Sequence, residues 1–274
     1  MCDCQAECGW LAWGMDKDIY DPAYVADLFD RCSGNYRRWS AISSFGFVWL
    51  WRRQCVSRLI GQRQIARIRD GQLGDAPPPL PVVVDLMAGT GEVWPHVLKA
   101  LPRARIRAID ISPRMHREAV ARLHSGREGQ IEHLAANALQ DILPEGSADL
   151  LISTFGLKTF NPSQQTVLAR QIARLLHDGG SFALIEASDP KGWILRPFYR
   201  FYLDRALPLI EKLFLKGARD FSMIGDYTRG FGDCAHMAEA LRAAGLNVAM
   251  KRHFFGCATS VAGHKPIAPR AVPH

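Results

Sequence analysis

The sequence predicts a doubly wound α/β fold: a mostly parallel seven-stranded sheet with helices on both faces, a C-terminal antiparallel hairpin and an N-terminal helical cap. Three observations carry this. Short apolar runs alternate with helix-like segments from Val82 onward, a Gly-x-Gly turn follows the first run, and the last two runs are joined by a tight turn.

Residues 17 to 71 read as helical, with apolar side chains at helical spacing around Tyr24, Leu28 and Phe29, then Trp49, Val56, Leu59 and Ile60. The stretch from Gly71 to Pro81 cannot continue a helix, because each proline lacks a donor and fixes its own φ. It reads as a linker, dividing a cap over 1–75 from a main domain over 76–274.

Strands are expected at Val82–Leu86, Ile106–Asp110, Ile131–Ala135, Ala148–Ser153 and Ser181–Glu186. Helices fill Val93–Leu101, Arg114–His124 and Ser163–Leu176. A long apolar and aromatic segment runs from Trp193 to Phe214. A helix near Ala235–Ala244 and strands at Val248–Phe254 and Cys257–Gly263, turning at Phe255-Gly256, complete the sheet edge.

In such a sheet, ligands bind beyond the carboxyl ends of the strands, so the loops there hold the chemistry. The first, Asp85-Leu-Met87-Ala88-Gly89-Thr-Gly91, lets backbone amides approach a ligand closely before a helix begins. A dinucleotide loop would need a third glycine three residues after Gly91, where Trp94 stands. Asp85 would repel a pyrophosphate but attract the positively charged methionine moiety of S-adenosylmethionine. Asp110, 25 residues on, can accept both ribose hydroxyls, with Ile111 packing on the adenine and Asn137-Ala138 at its edge. Singly, each residue is equally explained as a turn or a cap; in combination at successive strand ends they point to this methyl donor.

The 274 residues are 48% apolar with a net charge of +7, the composition of a soluble globular chain. No run approaches a membrane span and no basic flank opens a secretory signal, so a cytoplasmic location is expected. Seven cysteines fit free thiols, and the cluster Cys2, Cys4 and Cys8 lacks a nearby fourth ligand, so no metal is expected. Arginines at 37, 38, 52, 53, 58, 63, 67 and 69 form a basic belt. Without interleaved stacking aromatics, a solvated face or one grazing a membrane is the reading rather than nucleic acid. Self-association as a homodimer stays open.

The segment Arg174–Ser188 resembles the signature of the ubiquinone/menaquinone biosynthesis C-methyltransferases, a family of class I S-adenosylmethionine-dependent enzymes with a Rossmann-like fold; His177 and Asp178 replace the usual Lys and Pro. Tyr36, Ser44 and Trp51 keep a second family pattern, from which Arg37, Ser40 and Val48 depart. Thr154–Lys158 resembles the family's S-F-G-L-R stretch, which places Thr154 by the cofactor and Phe155 by the acceptor. Tyr199–Tyr202, Pro208–Ile210, Phe231 and Ala244–Leu246 also match.

The resemblance implies methylation of carbon on a small hydrophobic, quinol-like acceptor. The alternatives are a phospholipid amine, an O- or N-site of a secondary metabolite or, more remotely, a noncatalytic protein that binds RNA or a partner. Tyr36, Phe155, Tyr199 and Arg196 are the candidates to bind the acceptor, Arg196 and Arg200 also suiting a lipid head group. Tyr202, Tyr227 and His253 are the catalytic candidates, His253 as a base. Each is matched by a plainer role in packing.

Overall fold

The computed structural model describes residues 18–69, 80–123, 126–214 and 223–267. Cys2, Cys4 and Cys8 lie outside them, as does most of the expected linker.

The sheet has the order β3-β2-β1-β4-β5-β7-β6, formed by β1 (Val82–Leu86), β2 (Arg105–Asp110), β3 (Ile131–Ala135), β4 (Ala148–Thr154), β5 (Leu176–Ala187), β6 (Asn247–His253) and β7 (Ala258–His264). The first five strands pair in parallel, and β7 pairs antiparallel with both β5 and β6. Strand order reverses between β1 and β4, which opens the crevice where a ligand fits.

Because side chains alternate along a strand, β1 sends Val83 to one face and Val84 and Leu86 to the other. Helices α3 (Phe47–Arg69) and α4 (Trp94–Ala100) cover the first face. Helices α6 (Pro162–Leu175) and α10 (Ala235–Ala243) cover the second. Asn161 and Gln164 form a capping box that fixes the start of α6. Helix α5 (Pro113–Leu123) follows β2.

The N-terminal region is three helices: α1 (Pro22–Cys32), α2 (Tyr36–Ser43) and α3. Val48, Trp51, Cys55, Val56 and Leu59 of α3 share one core with β1, β2, β4, β5 and β7, so the expected cap continues into the sheet's own packing. Arg52 is buried, and Arg58 donates to Ser260 O at 3.0 Å and Ala249 O at 2.7 Å. These two leave the expected basic belt because their guanidiniums serve the interior.

The aromatic segment after β5 forms α7 (Arg196–Phe201), a π-helical turn (Tyr202–Ala206) and α8 (Leu207–Phe214). A helix the sequence reading did not assign, α9 (Met223–Phe231), follows. The expected two-residue turn between β6 and β7 is a three-residue helical turn, Phe254–Gly256, with all three φ angles positive. Cys32, Cys55, Cys234 and Cys257 are free, buried thiols.

Candidate active site

Two cavities lie above the carboxyl ends of the strands and share a wall made by Phe29, Tyr36 and Phe155. The smaller, about 650 Å³ counted to its open edge, is lined by the loop after β1 and by the ends of β2 and β3. The larger, about 1430 Å³ on the same measure, is bounded by α2, α3, α7, α9 and the Phe254 turn, and half of the residues in its walls are aromatic.

Met87, Gly89, Asp110, Ile111, Asn137 and Ala138 line the smaller cavity together, as their positions at successive strand ends lead one to expect. Met87 takes a left-handed φ of 53°, which turns the chain so that the loop faces the cavity. Gly89 has φ 56°, and a Cβ built there would meet nothing within 4 Å, so the backbone leaves room for a ligand. Gly156 lets the loop after β4 lie against Met87, whose Cβ would be 2.4 Å from a Cβ at that glycine.

Asp110 accepts from the N–H groups of Gly89 at 2.7 Å and Ser112 at 2.8 Å. Burial nevertheless pushes its carboxyl up to about 6. Each oxygen retains a lone pair for a hydroxyl donor. Asn137 Oδ1 accepts Leu139 N–H at 3.0 Å, which leaves its Nδ2 to donate.

Asp85 does not line either cavity. Its Oδ2 accepts the Trp94 indole N–H at 2.8 Å, its Oδ1 is buried with no protein partner, and burial pushes it up to about 8. The turn therefore aims Asp85 at Trp94 rather than at either cavity. Ala88 packs into the core, Thr154 ends β4, and Gly91 forms the turn under Trp94, whose ring would lie 2.6 Å from a Cβ there. These three support the cavity from behind.

Tyr36, Phe155, Tyr199, Tyr202 and Tyr227 line the larger cavity. The Tyr202 hydroxyl donates to Ile42 O of α2 at 2.8 Å and that of Tyr227 to Ile19 O, in the turn before α1, at 2.5 Å, so both tie the cavity wall to the N-terminal region. His253 is not brought to the site. Its ring bonds Gln54 Oε1 at 2.7 Å and Ser260 Oγ at 2.6 Å, and burial lowers it to about 4. Arg196 also lies outside the cavity, in a two-bond pair with Asp189 at 2.7 and 2.5 Å.

Two groups were missed by the sequence reading. Lys158 is the one charged side chain lining the larger cavity among the described residues. Its Nζ donates to Glu186 Oε1 at 2.8 Å and to Phe155 O at 3.0 Å, and Glu186 is fully buried. The S-F-G-L-R resemblance ran through Lys158 without giving it a role. Arg52, 2% exposed, holds Glu92 at 3.3 Å and stands 5.3 Å from the Phe155 ring centre, with Nε and Nη1 lacking a protein partner. Glu92 also binds Arg122 at 3.0 Å.

A doubly wound sheet, a glycine cradle at its switch point and an acid at the end of β2 define an S-adenosylmethionine-dependent methyltransferase. The sequence model of the ubiE/COQ5 methyltransferase family matches residues 17–265, and the chain belongs to that family. It is 28% identical to a demethylmenaquinone methyltransferase of Lactococcus lactis, over 90% of this chain and 92% of the relative. To a ubiquinone/menaquinone biosynthesis C-methyltransferase of Syntrophotalea carbinolica it is 31% identical, over 74% and 78%. Human N-acetylserotonin methyltransferase, solved with S-adenosylmethionine, shares the fold at a TM-score of 0.53 and 19% identity. The match covers 85% of this chain and 58% of that one, so this chain spans less than two thirds of its length.

Proposed function

We propose that this enzyme methylates a ring carbon of a quinol carrying a long apolar tail, at a membrane surface. The observation that carries the reading is the meeting of the two cavities at Tyr36 and Phe155. A donor in the smaller cavity and an apolar ring in the larger one would face each other across that wall. The names of the two relatives supply the acceptor class, and the aromatic walls of the larger cavity suit it.

S-adenosylmethionine supplies an activated methyl whose leaving group departs neutral. The protein's part is to align the reactants and exclude water. Asp110 holds the ribose, Asn137 meets the adenine edge, and the buried charge of Arg52, behind Phe155, favours the cofactor's carboxylate. A quinol carbon becomes nucleophilic when the neighbouring hydroxyl loses its proton. Lys158, held by Glu186 and Phe155 O, uses two of its three protons in those bonds and offers positive charge to the resulting phenolate.

The test is mass spectrometry after incubation with S-adenosylmethionine and demethylated quinols of short and long tail, with phospholipids alongside. A gain of one methyl on the quinol ring, with a lower KM for the longer tail, is the expected result. Methylation of phospholipid alone would overturn the acceptor assignment.

A further inference from the structure

We infer that the aromatic and basic rim around the mouth of the larger cavity docks on an anionic lipid bilayer. This gives the membrane contact proposed above a defined surface, and only the entry of an acceptor tail through it rests on the quinol reading.

The rim gathers the most exposed large apolar side chains of the described residues. Ile194 is 86% exposed, Phe198 72%, Phe45 and Phe255 67% each, and Phe201 64%. They come from three segments distant in sequence: the turn before α3, the stretch from Trp193 through α7, and the turn between β6 and β7. Ring contacts knit these into one surface. Trp193 stacks on Phe255 at 5.3 Å, Phe254 meets Phe47 at 4.4 Å, and Phe45 stacks on Tyr202 at 4.3 Å. A contiguous apolar patch of this kind marks an interaction surface, whereas scattered exposed residues do not.

The backbone points to the same place. Five non-glycine residues adopt positive φ among those described: Met87 and Phe155 at the site, and Phe45, Phe254 and Phe255 on this rim. A bulky ring in the left-handed region is strained, and such strain persists where surrounding structure enforces it for a function. Here it turns phenyl rings outward instead of letting them fold into the core.

Charge selects the partner. Lys191 and Arg200 are exposed in the stretch that carries Trp193, Ile194 and Phe198, Lys251 and Arg252 in the strand leading to Phe254, and Arg37 and Arg38 in the helix before Phe45; among the described residues none of the six forms an ion pair. The nearby Asp189 and Asp204 are already held by Arg196 and Arg229. Insertable aromatic side chains among unneutralised cations are what an anionic lipid interface binds. A protein partner on this rim would cover the mouth of the cavity, while a leaflet would join the mouth to the lipid phase in which an apolar tail is dissolved.

The experiment is co-sedimentation of the full chain with vesicles of phosphatidylcholine alone or mixed with phosphatidylglycerol, without acceptor or cofactor. The expected result is salt-sensitive binding to the mixed vesicles and little to the neutral ones. The double variant Ile194→Ser/Phe201→Ser and the variant Arg200→Glu, all outside the cavity lining, should each weaken binding by roughly tenfold or more. Val167→Ser on α6 should leave it unchanged, and all should keep the parent melting temperature and the parent affinity for S-adenosylhomocysteine. No binding to the mixed vesicles, equal binding by the rim variants, or a stable homodimer that buries the rim would each overturn the inference. Because the readout contains no acceptor, a failed quinol assay leaves this test intact, and a failed vesicle assay leaves the acceptor assignment intact.

Discussion

Gly89→Ala and Gly91→Ala place the same methyl two residues apart, with opposite consequences. Both glycines have positive φ, so each alanine costs about 1–2 kcal/mol in left-handed strain. At Gly89 the new Cβ meets nothing, and strain is the whole cost to the fold, a fall in melting temperature of roughly 2–8 °C. The space it enters is the cradle of the smaller cavity. Overfilling a fitted site costs about 1–3 kcal/mol, so Kd for S-adenosylhomocysteine should rise roughly 5- to 140-fold. At Gly91 the methyl lies 2.6 Å from the buried ring of Trp94, the side chain that also holds Asp85. Strain and clash together reach about 2–5 kcal/mol, so this variant loses stability first. Calorimetric titration and thermal melting on both variants separate the two effects. If Gly89→Ala binds S-adenosylhomocysteine within about twofold of the parent, the smaller cavity is not the cofactor's seat.

Asp110, pushed up to about 6, is protonated below that pH in the free protein and can then no longer accept both ribose hydroxyls. Affinity for S-adenosylhomocysteine should level off above about pH 7 and fall about tenfold per unit well below 6, and Asp110→Asn should flatten the profile in the same titration. Arg52→Met should weaken S-adenosylhomocysteine by roughly tenfold or more while sparing methylthioadenosine, which lacks the carboxylate; equal loss of both would sink that assignment. Lys158→Met strands Glu186 and should cost about 3–5 kcal/mol by chemical denaturation, whereas Lys158→Met/Glu186→Gln should regain stability without regaining turnover. His177 is raised by its bond to Asp149, and Asp149 is lowered in return. The His177 contribution is complete below its unfolded value of about 6.5 and lost above its folded one. That of Asp149 is present above about 3.9 and lost on acidification. His177→Gln should therefore lower the melting temperature more at pH 5.5 than at pH 8.5. At partial exposure the difference should stay below about 4 °C.

What could be read from sequence was what is local in it. The seven strands, the Gly-x-Gly loop and the acid ending β2 each announce themselves within a few residues, and six of the ten expected cofactor residues share one cavity. Asp85 was placed too literally, because the turn at Met87 decides which side of the loop faces the ligand, and that turn puts Asp85 under Trp94. His253 and Arg196 carry the right chemistry, but their partners, Gln54 at 2.7 Å and Asp189 at 2.5 Å, hold them elsewhere. Nothing in the spacing of Lys158 and Glu186 reveals that β4 and β5, as parallel neighbours, bring the turn after β4 against the end of β5 as a buried pair.

The two cavities differ in how they are made. The smaller is cut largely from loops of one sheet, each fixed by the strand before it. The larger depends on α2, α3, α7, α9 and the Phe254 turn meeting through bonds such as Tyr202 to Ile42 and Tyr227 to Ile19, which span 160 and 208 residues. Those contacts fix the shape of the space without prescribing particular polar residues in it. Ser40 and Val48, which line that space, can therefore depart from the family pattern read in the sequence while Tyr36, at the junction, is kept; Arg37 lies outside the lining. Acceptor choice can drift through these walls with the donor end unchanged, so substitutions at Ser40 or Val48 should move acceptor preference and KM before they move the affinity for S-adenosylhomocysteine.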